Sequence, residues 1–323
     1  MKKLIFSIMF LAISLSLASC EKNTEERKEL HILQESSDMQ EWIRNLPSHE
    51  GPVYSEEIRG LSVEKDGSEI FTVAYAPEEY KLSFNYWEIT SPYTSQATVN
   101  TETLYALLGQ LDGLEITEND TGNLPEDTGL DDSKTYITIA LSSDGQKEEA
   151  DSVLRLRLGK TDGDGHIYVS DRESSEVGLL EKSIADILLS VDPYDYILKI
   201  PVLPDITTVD TVEVEKSGKL YIMSSEDGEY TMDGRKTEEE EYNKAFQNLL
   251  NILITGEMQE GEEPDIQEEP VLTVRFFRNT EEASDIEVKY YPYDDSHVAV
   301  SVNGETSFLA DLDEVENLCG LFF

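Results

Sequence analysis

Apolar and polar positions alternate with a period of two through much of this chain, which is the signature of half-buried strands. Two stretches say so in nearly the same words. "LSVEKDGSEI" (Leu61 to Ile70) and "VEVEKSGKLYI" (Val212 to Ile222) each read strand, turn, strand, with Val63-Glu64-Lys65 answered by Val214-Glu215-Lys216 and Gly67 by Gly218. The alternation returns in "YITIAL" (Ile137, Ile139, Leu141), "VLTVRF" (Leu272, Val274, Phe276), "LRLRLG" (Leu154, Leu156, Leu158) and "DIEVKY" (Ile286, Val288, Tyr290). Helical spacing replaces it in "TETLYALLGQLDGL", where Leu104, Leu107, Leu108 and Leu111 form one stripe, and in "EYNKAFQNLLNIL", where Phe246, Leu249, Leu250 and Leu253 form a related one. Two more apolar helices are expected over "LLEKSIADILL" (Leu179 to Leu189) and "FLADLDEVENLCGLF" (Phe308 to Phe322).

These elements come in one order, twice: strands, helix, an acidic turn-rich loop, strands, helix. Even a histidine recurs, in "DGHIYVS" at Asp164 to Ser170 and "DSHVAVS" at Asp295 to Ser301. A period of roughly 130 residues is far too long for a solenoid and implies a duplicated domain. The expected fold class is α+β: two tandem homologous domains, each an antiparallel sheet with two helices packed on it. The boundaries predicted are 58–198 for the first domain, 199–208 for a linker stiffened by Pro201 and Pro204, and 209–323 for a second, diverged copy.

The N-terminus has a different character. Lys2 and Lys3 precede an uncharged apolar run from Leu4 to Leu17, short for a membrane span and of secretory-signal proportions. It closes on Leu17-Ala18-Ser19-Cys20, and in this the segment resembles the signal of bacterial lipoproteins. The resemblance implies cleavage between Ser19 and Cys20, lipidation of Cys20, and a location on the outer, extracytoplasmic face of the cell membrane. Residues 1–19 are then signal peptide and 20–57 a lipid-anchored charged tether, with one short helix expected in "DMQEWIRNLP" ending before Pro47.

Charge narrows the partners. With 68 acidic against 25 basic residues the formal net is −43, and no basic cluster is present, which excludes nucleic acid as a partner. The same field opposes a body lying flat on an anionic membrane and favours cations or basic partners. After Cys20 the only cysteine is Cys319, in "VENLCGLFF", so the exported part forms no intramolecular disulfide and Cys319 reads as a small packing residue.

Candidate chemistry is sparse. Of four histidines, His31 and His49 fall in the tether, while His166 and His297 occupy equivalent hairpin positions and read as polar residues closing turns. "TDGDGH" (Thr161 to His166) offers Asp162 and Asp164 toward calcium, which needs about six oxygens; Asp-Gly here reads better as a turn. The acidic loops around Glu126-Asp127 and Glu260–Glu263 could bind cations diffusely. A Ser-His-Asp order, a Cys-His pair, a P-loop, a dinucleotide fingerprint and zinc spacing are all missing. Two carboxylates can suffice for a glycosidase, but no pair stands out, and Trp87 sits on a strand rather than in an aromatic platform. No catalytic, metal-binding or cofactor-binding residue is predicted, and no cofactor.

One further set of residues carries a resemblance: "WEITSP" (Trp87, Ile89, Pro92), the helix around Leu107 and Leu111, "TGLDDS" with Gly129-Leu130-Asp131, and "LRLGK" with Gly159-Lys160. From about Ile58 to Leu189 the first copy resembles a family of bacterial envelope proteins known only as a domain of unknown function. Thr128 replaces the family's usual aromatic before Gly-Leu, and the second copy keeps only the pattern. The family brings no catalytic residues. Some relatives accompany gliding-type ABC transport systems, so the resemblance implies a membrane-anchored, non-enzymatic accessory or scaffold that binds a protein partner in an envelope or transporter-type complex. The alternative expectation is a ligand- or cation-binding module using the acidic loops or the inter-domain cleft.

Overall fold

The computed structural model of the protein describes residues 46–77, 86–93, 97–118, 128–143, 145, 149–171, 176–226, 228–258, 269–281 and 283–323. Its strands, in chain order, are β1 (Ile58–Lys65), β2 (Ser68–Tyr75), β3 (Trp87–Ser91), β4 (Thr117–Glu118), β5 (Tyr136–Leu141), β6 (Ser152–Thr161), β7 (His166–Asp171), β8 (Val177–Glu181), β9 (Val209–Lys216), β10 (Lys219–Glu226), β11 (Glu229–Met232), β12 (Arg235–Thr237), β13 (Ile254–Glu257), β14 (Leu272–Arg278), β15 (Asp285–Pro292), β16 (His297–Val302) and β17 (Glu305–Asp311). The α-helices are α1 (Thr101–Leu108), α2 (Lys182–Leu189), α3 (Glu239–Leu250) and α4 (Leu312–Phe322).

The strands form two antiparallel sheets. The first has the order β3-β2-β1-β5-β6-β7-β8-β4, the second β12-β11-β10-β9-β14-β15-β16-β17-β13. Replace β9, β10 and β11 by β1, β2 and β3, β13 by β4, and β14–β17 by β5–β8, and the two orders coincide, with β12 added at one edge. In each, a meander gives way to a helix, the chain crosses to the far edge, and a second meander starts against the first strand. The echoed valines hold equivalent places: Val63 lies between Phe71 and Ile137, Val214 between Tyr221 and Val274, and both are fully buried. The turns beside them match as well. Asp66-Gly67 and Ser217-Gly218 have positive φ at both positions, the two-residue hairpin turn whose twist suits the flanking strands.

The expected α+β class is wrong. The protein is mostly β, two large antiparallel sheets with only four short α-helices among the described residues. An eight-residue helix is about 12 Å long, whereas eight strands span more than 30 Å, so such helices cannot form a layer over the sheet. Two helices were read too long. Leu179 and Leu180 belong to β8, and Phe308 to Ala310 belong to β17; each strand runs directly into its helix, so one apolar run serves two elements. Asp311 marks the true start of α4, its side chain accepting from the Glu314 amide at 3.2 Å. Likewise α3 ends at Leu250, and Leu253 beyond it is 48% exposed.

Residues Ser48–Phe323 form one compact unit, and one apolar cluster runs through both sheets. The end of the expected tether joins this body: Ser48 bridges to Val153, Val53 bridges to Leu114 and is fully buried, and His49 lies 3.2 Å from Ser152 Oγ. All four sheet edges are short (β3, β4, β12 and β13), which limits the unpaired backbone offered to another chain. On the polar face of the second sheet, Arg275 bonds Glu287 at 2.7 Å and reaches Glu215 at 3.4 Å, tying β14 to both neighbours. Burial alone would raise the Glu287 pKa, but hydrogen bonds from Lys289 and Arg275 hold it below the ordinary carboxylate value.

Candidate functional site

The stretch between the sheets, of which 199–208 is expected as a stiff linker and Ile197 and Leu198 as the end of the first domain, bonds to both halves. Ile197 bridges to Val99, the Leu198 amide donates to Thr98 O at 2.8 Å, and Thr98 Oγ1 donates to Ile200 O at 2.7 Å. From the other side, the Ile254 amide of β13 donates to Lys199 O at 2.8 Å. Side chains complete the seam. Tyr93, just after Pro92, packs its ring 4.8 Å from that of Phe308 in β17, and its hydroxyl donates to Glu257 of β13. Lys199 places its ammonium on the carbonyl and ring of Tyr194. A small cleft opens here, with apolar walls from Ile197, Ile254, Val300 and Phe308 and polar groups from Glu305 and Ser307.

The electrostatics of the seam follow from burial. Burial and the hydrogen bond to Glu257 push the Tyr93 phenol well above its ordinary value, so it stays a donor. Burial pulls the Lys199 ammonium down, against the opposing pull of Asp195, Glu257 and Asp192. The Tyr93–Glu257 bond joins the halves, and the small cleft lies beside it.

Buried phenols elsewhere give a testable alkaline limit. Burial first, then Tyr230 and Asp210, pushes Tyr242 up to about 12, and burial pushes Tyr290 higher still. An unfolded tyrosine titrates near 10, so between about pH 10 and 12 the native state holds protons that the unfolded chain has released. The stability from the neutral phenol is fully present below pH 10 and falls as pH rises, by about 2.7 kcal/mol for a two-unit shift. No partner among the described residues reaches the buried Tyr242 hydroxyl. Tyr242→Phe is therefore expected to match or exceed the wild type by about 1 kcal/mol at pH 7 and to lose less above pH 10. Urea denaturation at pH 7 and 11 checks both.

The residues singled out by sequence fall into place unevenly. Ser19, Cys20 and His31, the helix expected in "DMQEWIRNLP", Glu126-Asp127 and Glu260–Glu263 lie outside the described residues. His166 and His297 sit in matching turns, each ring 3.0 Å from the carboxylate of Asp162 or Asp294. The same carboxylates accept turn amides: Asp162 from Asp164 and His166, Asp294 from Ser296 and His297. Those bonds hold Asp294 down at about 2, and both Asp162 oxygens are committed to the turn that competes with the calcium reading. No group of three or more His, Cys, Asp or Glu that could hold a metal ion occurs among the described residues. Cys319 is buried, and burial raises its thiol pKa.

The motif residues act in packing. Trp87 is 2% exposed, with its indole donating to Tyr105 at 3.2 Å and its ring edge-on to Tyr75. Gly129 and Gly159, thirty positions apart, come together where the Lys160 amide donates to Thr128 O at 2.7 Å. A Cβ on Gly159 would lie 2.3 Å from that same oxygen, and one on Gly129 would lie 2.6 Å from the Lys160 side chain. Sequence reasoning did not single out Tyr93, Lys199, Glu257 or Glu305. The only sign was proximity, Tyr93 next to the "WEITSP" motif and Lys199 inside the proline-flanked connection.

No helix among the described residues is long and apolar enough to cross a membrane. No curated protein and no solved structure matches the chain. One family model does, described as a domain of unknown function, DUF4340, over residues 87–260. The match begins at Trp87 rather than Ile58 and runs past Leu189 to the end of β13, so it crosses the seam and contains both Tyr93 and Glu257. Covering more than half of the 323 residues, it shows that the chain belongs to the DUF4340 family.

Proposed function

We propose that the protein is a lipid-anchored extracytoplasmic lipoprotein, a non-enzymatic accessory or scaffold that binds a protein partner in an envelope or transporter-type complex. The observation that carries this reading is the N-terminus: a charged pair, an uncharged apolar run, and Leu17-Ala18-Ser19-Cys20. Diacylation at Cys20 with a further acyl chain gives stable anchoring where one chain would hold only reversibly. A net charge of −43 on the chain favours a basic protein surface as partner. The shared strand order of the two sheets supports descent by duplication, with the second copy diverged. The expected result for Cys20→Ser is loss of the protein from the washed membrane fraction together with loss of incorporated labelled fatty acid. An unchanged membrane share and label in that variant would sink the anchor.

A second reading, a ligand- or cation-binding module, is favoured by the cleft at the seam, where an apolar wall meets the carboxylate of Glu305.

A further inference from the structure

Strand β10 turns two apolar side chains to solvent. Leu220 and Ile222 are 47% and 38% exposed, while Tyr221 and Met223 alternate with them toward the core, Met223 fully buried and Tyr221 packed on Phe322 of α4. Register sets Leu220 beside Glu215 and Ile222 beside Glu213 of β9, and Glu213 beside Arg275 of β14. Directly opposed residues share a face, so the two carboxylates lie next to the two exposed apolar side chains. Phe277, two residues beyond Arg275 on β14 and 37% exposed, bounds the strip on its far side. One guanidinium serves three carboxylates here: Arg275 lies 2.7 Å from Glu287, 3.4 Å from Glu215 and 3.8 Å from Glu213. Lys289 adds its charge on Glu287, away from the apolar pair, so the surplus negative charge stays beside Leu220 and Ile222.

The fold itself does not require this strip. In the first sheet Thr72 pairs with Ser62 as Ile222 pairs with Glu213, and there the two hydroxyls bond at 2.9 Å. Thr138 stands opposite Ser62 where Arg275 stands opposite Glu213. The second copy therefore carries apolar and acidic groups on a solvated face where the first carries hydroxyls, the composition of a contact surface. Charge selects the occupant. A second copy laid on the same face would set Glu213 and Glu215 against their own counterparts, and anionic lipid headgroups would meet the same repulsion.

We propose that this strip docks a basic amphipathic segment of a protein partner, its Lys or Arg side chains on Glu213 and Glu215 and its apolar side chains on Leu220, Ile222 and Phe277. The proposal rests on the partner-binding reading above and locates it on the second sheet.

The test is site-specific photo-cross-linking of the full-length protein in intact cells, with p-benzoylphenylalanine in place of Leu220 and, separately, of Thr72. A protein product is expected at Leu220 and not at Thr72, and the cross-linked partner peptide is expected to carry more Lys and Arg than Asp and Glu. Ile222→Thr, which installs the first sheet's residue, is expected to cut the yield at Leu220 about tenfold, and Glu213→Gln or Glu215→Gln about threefold each. All three side chains reach solvent, so these variants are expected to fold as the wild type does. Cross-linking to a second copy of this chain, to lipid or to an acidic peptide overturns the choice of occupant. Equal products at Leu220 and Thr72 overturn the choice of surface. Unchanged yield in Ile222→Thr overturns the apolar contact, and unchanged yield in both glutamine variants overturns the charged one. A partner recovered through lysine cross-links while Leu220 gives no product overturns the strip and leaves the partner reading standing; silence from both overturns both.

Discussion

Gly159→Ala is expected to destabilise the protein by about 3 kcal/mol, lowering the unfolding midpoint by roughly 8 °C. The new Cβ would stand 2.3 Å from the Thr128 carbonyl oxygen and 3.1 Å from the Leu130 side chain. The oxygen cannot swing aside as a side chain would, because it belongs to the backbone and accepts the Lys160 amide at 2.7 Å. β6 or the Thr128–Leu130 segment must move instead, and Leu130 in that segment is buried. Gly320→Ala supplies the contrast. Gly320 lies inside α4 with nothing within 4 Å of an added Cβ, so alanine there is expected to stabilise by about 0.5–1 kcal/mol. Urea denaturation followed by circular dichroism, with both variants side by side, reads the difference. Equal stability for the two variants would contradict the close backbone approach.

Tyr93→Ala is expected to cost about 4 kcal/mol, the scale for deleting a buried aromatic ring. The ring is 6% exposed and packs on Phe308 across the seam, so its loss opens a cavity between the two sheets rather than inside one of them. Because one apolar cluster runs through both sheets, the wild type is expected to unfold in a single transition, and the variant to keep that single transition at a lower midpoint. Faster hydrogen exchange is expected at the Leu198 and Ile254 amides, whose bonds cross the same seam. Tyr93→Phe keeps the ring and loses only the bond to Glu257. Glu257 is exposed, so that change is expected to cost about 1 kcal/mol. If Tyr93→Ala matched the wild type in midpoint and exchange, the seam would not be a structural joint.

How much of this could be read from the chain depends on the range over which each signal acts. Local periodicity marked the central strands well: Val63, Ile137, Val214 and Val274 alternate and are buried, and the Asp66-Gly67 and Ser217-Gly218 turns lie where the strand pattern breaks. Leu104, Leu107, Leu108 and Leu111 are all buried as their spacing implied, with Leu111 in a 3-10 turn after α1. The fold class failed for a physical reason as well. Apolar residues at a strand-to-helix junction satisfy both periods at once, so β8 and β17 were absorbed into helices. Asp311 and Glu314, a capping pair three residues apart, were the available signal against that reading. Strands of two to four residues such as β4, β12 and β13 carry too few positions to show any period. The seam lay furthest from reach. Tyr93 and Glu257 are 164 residues apart, and nothing in either neighbourhood specifies the other. The glycines of the family motifs were visible as motifs, but their contact arises only when β6 packs beside the Thr128–Leu130 segment.

The proposed role stands on a lipid anchor that holds a strongly acidic body outside the membrane to engage a partner. Cross-linking in intact cells, followed by affinity capture of the full-length protein and mass spectrometry, tests that directly. The account predicts an envelope or transporter protein joined at defined lysines of the body, recovered from the wild type and lost with Cys20→Ser. Recovery of nothing above background from the wild type would contradict it.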